Sequence, residues 1–161
     1  MDGFRLRPAE EKDVPALLGF IREMADYEKM LDQVSATEAD LKEWLFDKKT
    51  AEVLIPEVAD VPVGYALFFH NFSTFLGKGG LYLEDIYIQP AYRGRGYGKT
   101  VFRELARIAE ERQCGRMEWV CLDWNQPSID FYLSMEAEPH GEWTIYRLTG
   151  EPLRKVAEGE E

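Results

Sequence analysis

Apolar residues recur along this chain at two different spacings, and the changes from one to the other mark out its elements. Phe4–Arg7 alternates apolar and basic residues before Pro8 and predicts a short strand. Val14, Leu17, Leu18, Ile21, Met24 and Ala25 then fall on one stripe at helical spacing, with Pro15 in the first turn and Asp13 placed to cap it. T-E-A-D at 37–40 has the spacing of a capping box, with Asp at its last position. Leu41, Trp44 and Leu45 give the helix it opens an apolar face. A β-rich block follows: A-E-V-L-I-P-E-V, V-G-Y-A-L-F-F-H-N-F and G-L-Y-L-E-D-I-Y-I-Q-P read as three strands. The turn-rich links D-V-P-V-G and S-T-F-L-G-K-G-G are short, which predicts antiparallel neighbours.

From there the pattern becomes β-α-β-α. Tyr97–Arg112 reads as a helix with Val101, Leu105 and Ile108 on one stripe beside Phe102 and Ala109. Gly115 restarts the chain, and R-M-E-W-V-C-L-D-W reads as a buried strand. Asn125–Met135 reads as a short helix with Pro127 and Ser128 in its first turn, and E-W-T-I-Y-R-L as a final strand. There is no internal repeat and no linker. The expectation is one α/β domain over residues 1–150, followed by a charged tail, 151–161, that frays.

Composition narrows the ligands. The chain has 161 residues, 45% of them hydrophobic, and a formal net charge of −11. That charge argues against a nucleic-acid partner, which needs a basic face, and is compatible with cationic ligands. Cys114, Cys121, His70 and His140 have no metal-ligand spacing, so no metal site is expected, and reduced thiols suit a cytoplasmic protein. M-D-G-F-R-L-R lacks the apolar run of a signal peptide, and no apolar stretch approaches the ~20 residues that cross a membrane.

The densest candidate chemistry is Y-R-G-R-G-Y-G-K-T, Tyr92–Thr100, between the third β-block strand and the next helix. The ATP loop G-x-x-x-x-G-K-[ST] fails because Arg93 stands where its first glycine belongs. The dinucleotide loop G-x-G-x-x-G fails because Lys99 stands at its third glycine. R-x-x-G-x-G fits in full at Arg93, Gly96 and Gly98. Glycines let a ligand approach the backbone, and a helix's first turn offers unpaired N–H groups at its positive end. Hydrogen bonds to a charged group are worth roughly 1.5–3 kcal/mol each, so several would anchor a pyrophosphate.

In that setting R-G-R-G-Y-G resembles the pyrophosphate loop of the GNAT superfamily of acyl-CoA-dependent N-acetyltransferases. The order strand, two helices, three antiparallel strands, helix, strand, helix, strand is similar to theirs. Y-L-E-D-I-Y-I-Q-P-A-Y-R-G-R-G-Y-G-K and D-W-N-Q-P-S-I-D-F-Y, with R-P-A, A-D-Y-E and E-W-T-I-Y-R, resemble the diamine acetyltransferase group (spermidine/spermine and thialysine acetyltransferases) over nearly all of residues 4–148. The resemblance implies a GNAT fold: a mixed central sheet with antiparallel N-terminal strands and parallel fourth and fifth strands, flanked by about four helices. It implies acetyl-CoA as cofactor. The backbone of Ile86, Tyr87 and Ile88 would pair with the pantetheine amides, and Arg93, Gly94, Arg95, Gly96, Tyr97, Gly98 and Lys99 would hold the pyrophosphate. Asn125, Gln126, Pro127 and Ser128 would meet the pantetheine arm, with Tyr132 beside the sulfur. It also implies a homodimer, in some members by exchange of C-terminal elements.

The chemistry asks for a base and an acid. An alkyl ammonium has a pKa near ~10.4, so exposing its free base at pH 7 costs roughly 4.6 kcal/mol. By resemblance Glu84 holds the base position, and burial on its apolar strand would raise its pKa. Adjacent strand residues face opposite ways, so Glu84 and Asp85 reach one amine only if a bulge re-aims one of them. Asp85 is assigned to substrate binding. Tyr132 is the expected general acid, since a phenol near ~10 can donate to a thiolate whose thiol is near ~8.5. The amine site is expected from Tyr27, Glu28, Glu84, Asp85, Glu118, Trp119 and Val120, with a small cationic amine as substrate. The loop N-F-S-T-F-L-G-K-G-G lacks the carboxylate that polyamine enzymes of the group carry, so a diamine, a lysine-like amino acid and another primary amine stay open. The alternatives are a non-catalytic acyl-CoA-binding regulatory module on the same fold and a P-loop nucleotide hydrolase.

Overall fold

The computed structural model describes residues 3–159. Among them six strands form one mixed sheet: β1 (Phe4–Pro8), β2 (Glu52–Val58), β3 (Val61–Pro62), β4 (Gly64–Ser73), β5 (Lys78–Ile88) and β6 (Met117–Glu118). The order is β1-β2-β4-β5-β6, with β3 on β2. All pairs are antiparallel except β5 with β6, which run parallel at Leu81↔Met117 and Tyr82↔Glu118. The helices are α1 (Val14–Tyr27), α2 (Glu38–Lys42, running into a π turn at Glu43–Asp47), α3 (Tyr97–Glu111), α4 (Gln126–Ser134) and α5 (Gly150–Ala157). The chain divides into two compact units at Val120.

In the first unit the strands' alternation sorts side chains to two faces. Val53, Ile55, Tyr65 and Tyr87 pack with Leu17 and Phe20 of α1, and Ile21 and Met24 lie against that cluster. On the other face α3 buries the predicted stripe Val101, Phe102, Leu105, Ile108 and Ala109, and Arg112 just beyond it lies over the Phe68 ring. The capping box at 37–40 forms as predicted. Asp40 N–H donates to Thr37 Oγ1 at 3.1 Å, and Thr37 N–H donates to Asp40 Oδ2 at 3.0 Å.

Four expectations are corrected. Asp13 does not cap α1 with its side chain. Its buried carboxylate instead takes two hydrogen bonds of 2.8 Å from Arg7 and one from Glu10 N–H, because a guanidinium fork on β1 outcompetes a single helix N–H. The strand expected over 116–124 is only Met117–Glu118, and residues 142–148 carry no strand. A strand needs a paired edge, and 142–148 has no ladder partner, so Trp143, Ile145, Tyr146 and Leu148 are exposed. The expected frayed tail is helical over Gly150–Ala157, with Glu151 in the first turn and Arg154 and Lys155 in the last, the charge order that suits a helix dipole. No helix among the described residues is long and apolar enough to cross a membrane.

Candidate active site

The site begins with an irregularity in β5. Leu67 of β4 pairs with Asp85, but its neighbour Phe68 pairs with Leu83, so Glu84 is one residue too many. This is a β-bulge, and it changes which side chains share a face. Tyr82, opposite Phe69, and Asp85, opposite Leu67, both look towards α1, as does Tyr87 opposite Tyr65. Alternation from buried Leu83 turns Glu84 to that face as well. The bulge therefore puts both carboxylates on one side.

Their environments differ. Glu84 is exposed, so the burial expected for it is not found. Asp85 is the more enclosed of the two, half-buried. It lies beside Tyr65, a fully buried side chain whose hydroxyl donates to Asp85 Oδ2 at 3.1 Å and sits 3.5 Å from Met24 Sδ. Burial pushes the Asp85 carboxyl up to about 6; the neighbouring charges of Glu84 and Glu28 add to this, and the Tyr65 hydrogen bond opposes it. Burial and the Asp85 charge drive the Tyr65 phenol upward, so it stays protonated. Tyr65 has no sequence signature beyond a hydroxyl in the apolar run G-Y-A-L, and the reading of the sequence missed it.

The end of α1 supplies the third carboxylate. Lys29 adopts φ +61, Met30 N–H reaches Ala25 carbonyl and Lys29 N–H reaches Asp26 carbonyl, the two bonds of a Schellman closure. That closure holds Tyr27 and Glu28 at the helix end. Burial raises the Glu28 carboxyl above its ordinary range. The structure thus brings Glu28, Glu84 and Asp85 together around Tyr65. Glu118 is engaged elsewhere, with Arg116 at 3.1 Å and Asn71 at 3.3 Å, and Trp119 packs edge-on against Phe102. Val120 is exposed.

On the loop that follows β5, Gly94 (φ +76) and Gly96 (φ +83) are left-handed, a conformation other residues adopt at a cost. No side chain caps the start of α3, so its first-turn N–H groups face outward. Tyr97 contributes backbone only, because its ring is buried and stacked on Phe4 at 4.3 Å. Arg95 lies over Tyr92, and Lys99 is exposed. Arg93 acts as a brace. Its Nε donates to Ile88 carbonyl at 2.7 Å, and its guanidinium lies over the rings of Tyr87 and Tyr27. β6 covers β5 only at Leu81 and Tyr82, so among the described residues no strand lies beside the outer edge at Ile86, the geometry that accepts an extended, amide-bearing ligand. Ile88's carbonyl is already taken by Arg93.

In the second unit, Asn125 precedes α4. It is buried, and its Oδ1 has no hydrogen-bond partner. A buried acceptor without a donor is costly and points to a group that completes it. Ser128 is half-buried in the first turn, while Gln126 is exposed and bonded to Asp130 at 2.7 Å, with Pro127 exposed beside it. Tyr132 is half-buried near the helix end, 5.9 Å from the Phe131 ring. A cleft of about 450 Å³ between β1, β2 and α3 holds none of the predicted site residues. Its Arg7, Arg107 and Arg112 are already paired with carboxylates.

The family model for the GNAT acetyltransferases matches residues 19–136. The chain belongs to that family. It is 35% identical to the thialysine N-epsilon-acetyltransferase of Bos taurus over 94% of this chain and 96% of that protein. It is 30% identical to the L-ornithine N5-acetyltransferase NATA1 of Arabidopsis thaliana over 94% of this chain and 87% of that one. Among solved structures, an integron cassette protein from V. cholerae superposes with a TM-score of 0.80 at 25% identity, covering 98% of this chain and 99% of that one. The glycine loop, the uncapped α3 and the parallel β5–β6 pair are thus those of an acetyl-CoA-dependent N-acetyltransferase.

Proposed function

We propose that this protein is a cytoplasmic enzyme, a single acetyltransferase domain that acetylates a primary amine of a small cationic substrate, a diamine, polyamine or lysine-like amino acid, by direct transfer in a ternary complex. The observation that carries this reading is the bulge at Glu84, which puts Glu84 and Asp85 on one face of the sheet, where Glu28 from the end of α1 joins them around Tyr65. Three acidic groups favour an ammonium ligand, and a carboxylate among them can take its proton. The names of the relatives, enzymes acting on thialysine and ornithine, support the same class.

The residues present fit acetyl-CoA. The left-handed glycines and uncapped α3 suit a pyrophosphate, the open edge at Ile86 suits an amide, and the unpartnered Oδ1 of buried Asn125 suits an amide N–H. When bound, acetyl-CoA supplies the acetyl thioester. Tyr132 is assigned as general acid, its Oη holding the proton that a departing thiolate takes up. Cys121 is not needed, since direct transfer uses no acyl-enzyme.

The exposed side chains of Trp143, Ile145, Tyr146 and Leu148 further support a homodimer in which a second copy covers this segment. The test of function is a melting measurement with acetyl-CoA followed by an acetyl-transfer assay over diamines, polyamines and lysine analogues. The expected result is a raised melting temperature and turnover on at least one amine, with Tyr132→Phe slowed roughly 100-fold or more. Binding without turnover would point to a regulatory module, and neither binding nor turnover would refute the proposal.

A further inference from the structure

Resting on that reading, the geometry points to Asp85, not Glu84, as the group that takes the proton from the amine, with Tyr65 as the residue that positions it. Sequence order alone favours Glu84 by resemblance, but the bulge changes what each neighbour can do. Glu84 is the inserted residue; it is exposed and in contact with solvent. Asp85 is in register with Leu67, its carboxylate oriented by a 3.1 Å hydrogen bond from a tyrosine that is itself wholly buried. The hydroxyl of that tyrosine is backed by Met24 Sδ, so it has one strong acceptor to choose, and the carboxylate is fixed. A fixed, partly desolvated carboxylate is the better partner for a proton, whereas an exposed one serves as an electrostatic guide for the ammonium.

The step is a proton transfer. An N–H bond of the bound ammonium breaks, its proton goes to an Asp85 carboxylate oxygen directly or through one water, and the electron pair stays on nitrogen as the nucleophilic lone pair. The proton leaves Asp85 for solvent after product departs. The groups facing Asp85 are Glu84 on its own strand, Tyr65 on β4 and Glu28 at the end of α1, and they set its titration in opposite directions. Burial pushes the carboxyl up most, the two acidic neighbours add to that, and the Tyr65 hydroxyl pulls it down. A base poised about one unit below neutrality is ionised at pH 7 and still close to it in strength.

The experiment is a set of pH profiles of kcat/KM for wild type, Asp85→Asn, Glu84→Gln and Tyr65→Phe on one acetylated amine, with acetyl-CoA affinity measured in parallel. Wild type should show an acid limb near pH 6. Asp85→Asn should lower kcat roughly 100-fold or more and abolish that limb. Removing a like charge in Glu84→Gln should raise KM and move the limb down. Tyr65→Phe should move it up by about one unit, since a donor to the charged form is lost. Opposite shifts in the last two are what a merely structural role would not produce, and they test the proposal even if Asp85→Asn fails to fold. An active wild type whose limb survives Asp85→Asn, or disappears in Glu84→Gln, overturns this assignment alone. A wild type inert towards every amine overturns the enzymatic reading and this one with it.

Discussion

L-Y-L-E-D-I-Y-I in β5 and E-W-T-I-Y-R-L at 142–148 carry the same kind of sequence, yet they end in opposite conditions. β4 pairs with β5 along its whole length, and Leu81 and Leu83 are 0% and 2% exposed. The later segment has no ladder partner, and Trp143 and Tyr146 are 77% and 91% exposed. Alternation specifies two faces, and says nothing about whether an edge will be there to pair with. The same lesson operates inside β5. Leu81 and Leu83 alternate regularly, and then one unpaired residue reverses the parity, so that Asp85 points where an unbulged strand would have pointed its neighbour.

The comparison can be tested from its strongest contrast downward. Arg7 bridges two nearly buried carboxylates, Asp13 and Glu57, at the β1–β2 pair. Arg7→Ala strips Asp13 of its counter-charge and leaves Glu57 with Arg5 alone, and should destabilise the protein by about 3–5 kcal/mol, while Arg147→Ala in the unpaired segment should be close to silent in the same denaturant titration. The ion pairs also set an acid limit. The Arg7 hydrogen bond holds the Asp13 carboxyl below its ordinary range against opposing burial. For Glu57 burial pushes upward, but Arg5 and Arg7 together win and lower it. Groups depressed in the folded state stabilise it fully above their unfolded values of about 3.9 and 4.3, and lose that contribution as pH falls through the folded values. Unfolding followed by circular dichroism should therefore show wild-type stability falling below about pH 4, and a shallower fall in Arg7→Ala.

Next, Leu83→Ala should cost roughly 2–5 kcal/mol through transfer and cavity losses, whereas Leu148→Ala should stay within about 0.5 kcal/mol at concentrations where the chain is monomeric. Equal losses at both positions would remove the contrast. The smallest effect on intrinsic stability is expected for Tyr146→Ala, again within about 0.5 kcal/mol, but with weaker self-association in sedimentation. Unchanged self-association would detach that segment from the homodimer.

Much of the fold was legible in sequence because it is locally encoded. The stripe of α3, the capping box at 37–40 and the turns between β2, β4 and β5 each depend on residues within a few positions of one another. The GNAT family assignment was legible for the same reason, since its glycine loop is contiguous. The carboxylate site was legible only as a list. Tyr27, Glu28, Glu84 and Asp85 were named, but Tyr65 was not, and Glu84 is exposed while its neighbour Asp85 is half-buried. Arg93, expected among the phosphate-holding cations, spends its Nε on Ile88 carbonyl.

By itself the sequence determined what depends on short spacing: the periods of its helices and strands, the left-handed glycines that a loop at Gly94 and Gly96 demands, and the acidic residue types available for an amine. Only the tertiary structure decided which of two adjacent carboxylates is half-buried against Tyr65 and which is left exposed. That outcome depends on how β4 registers against β5 across some twenty residues, and on a tyrosine from the partner strand reaching one oxygen. Register is set by the summed burial of whole faces, so a local reading of Y-L-E-D cannot contain it.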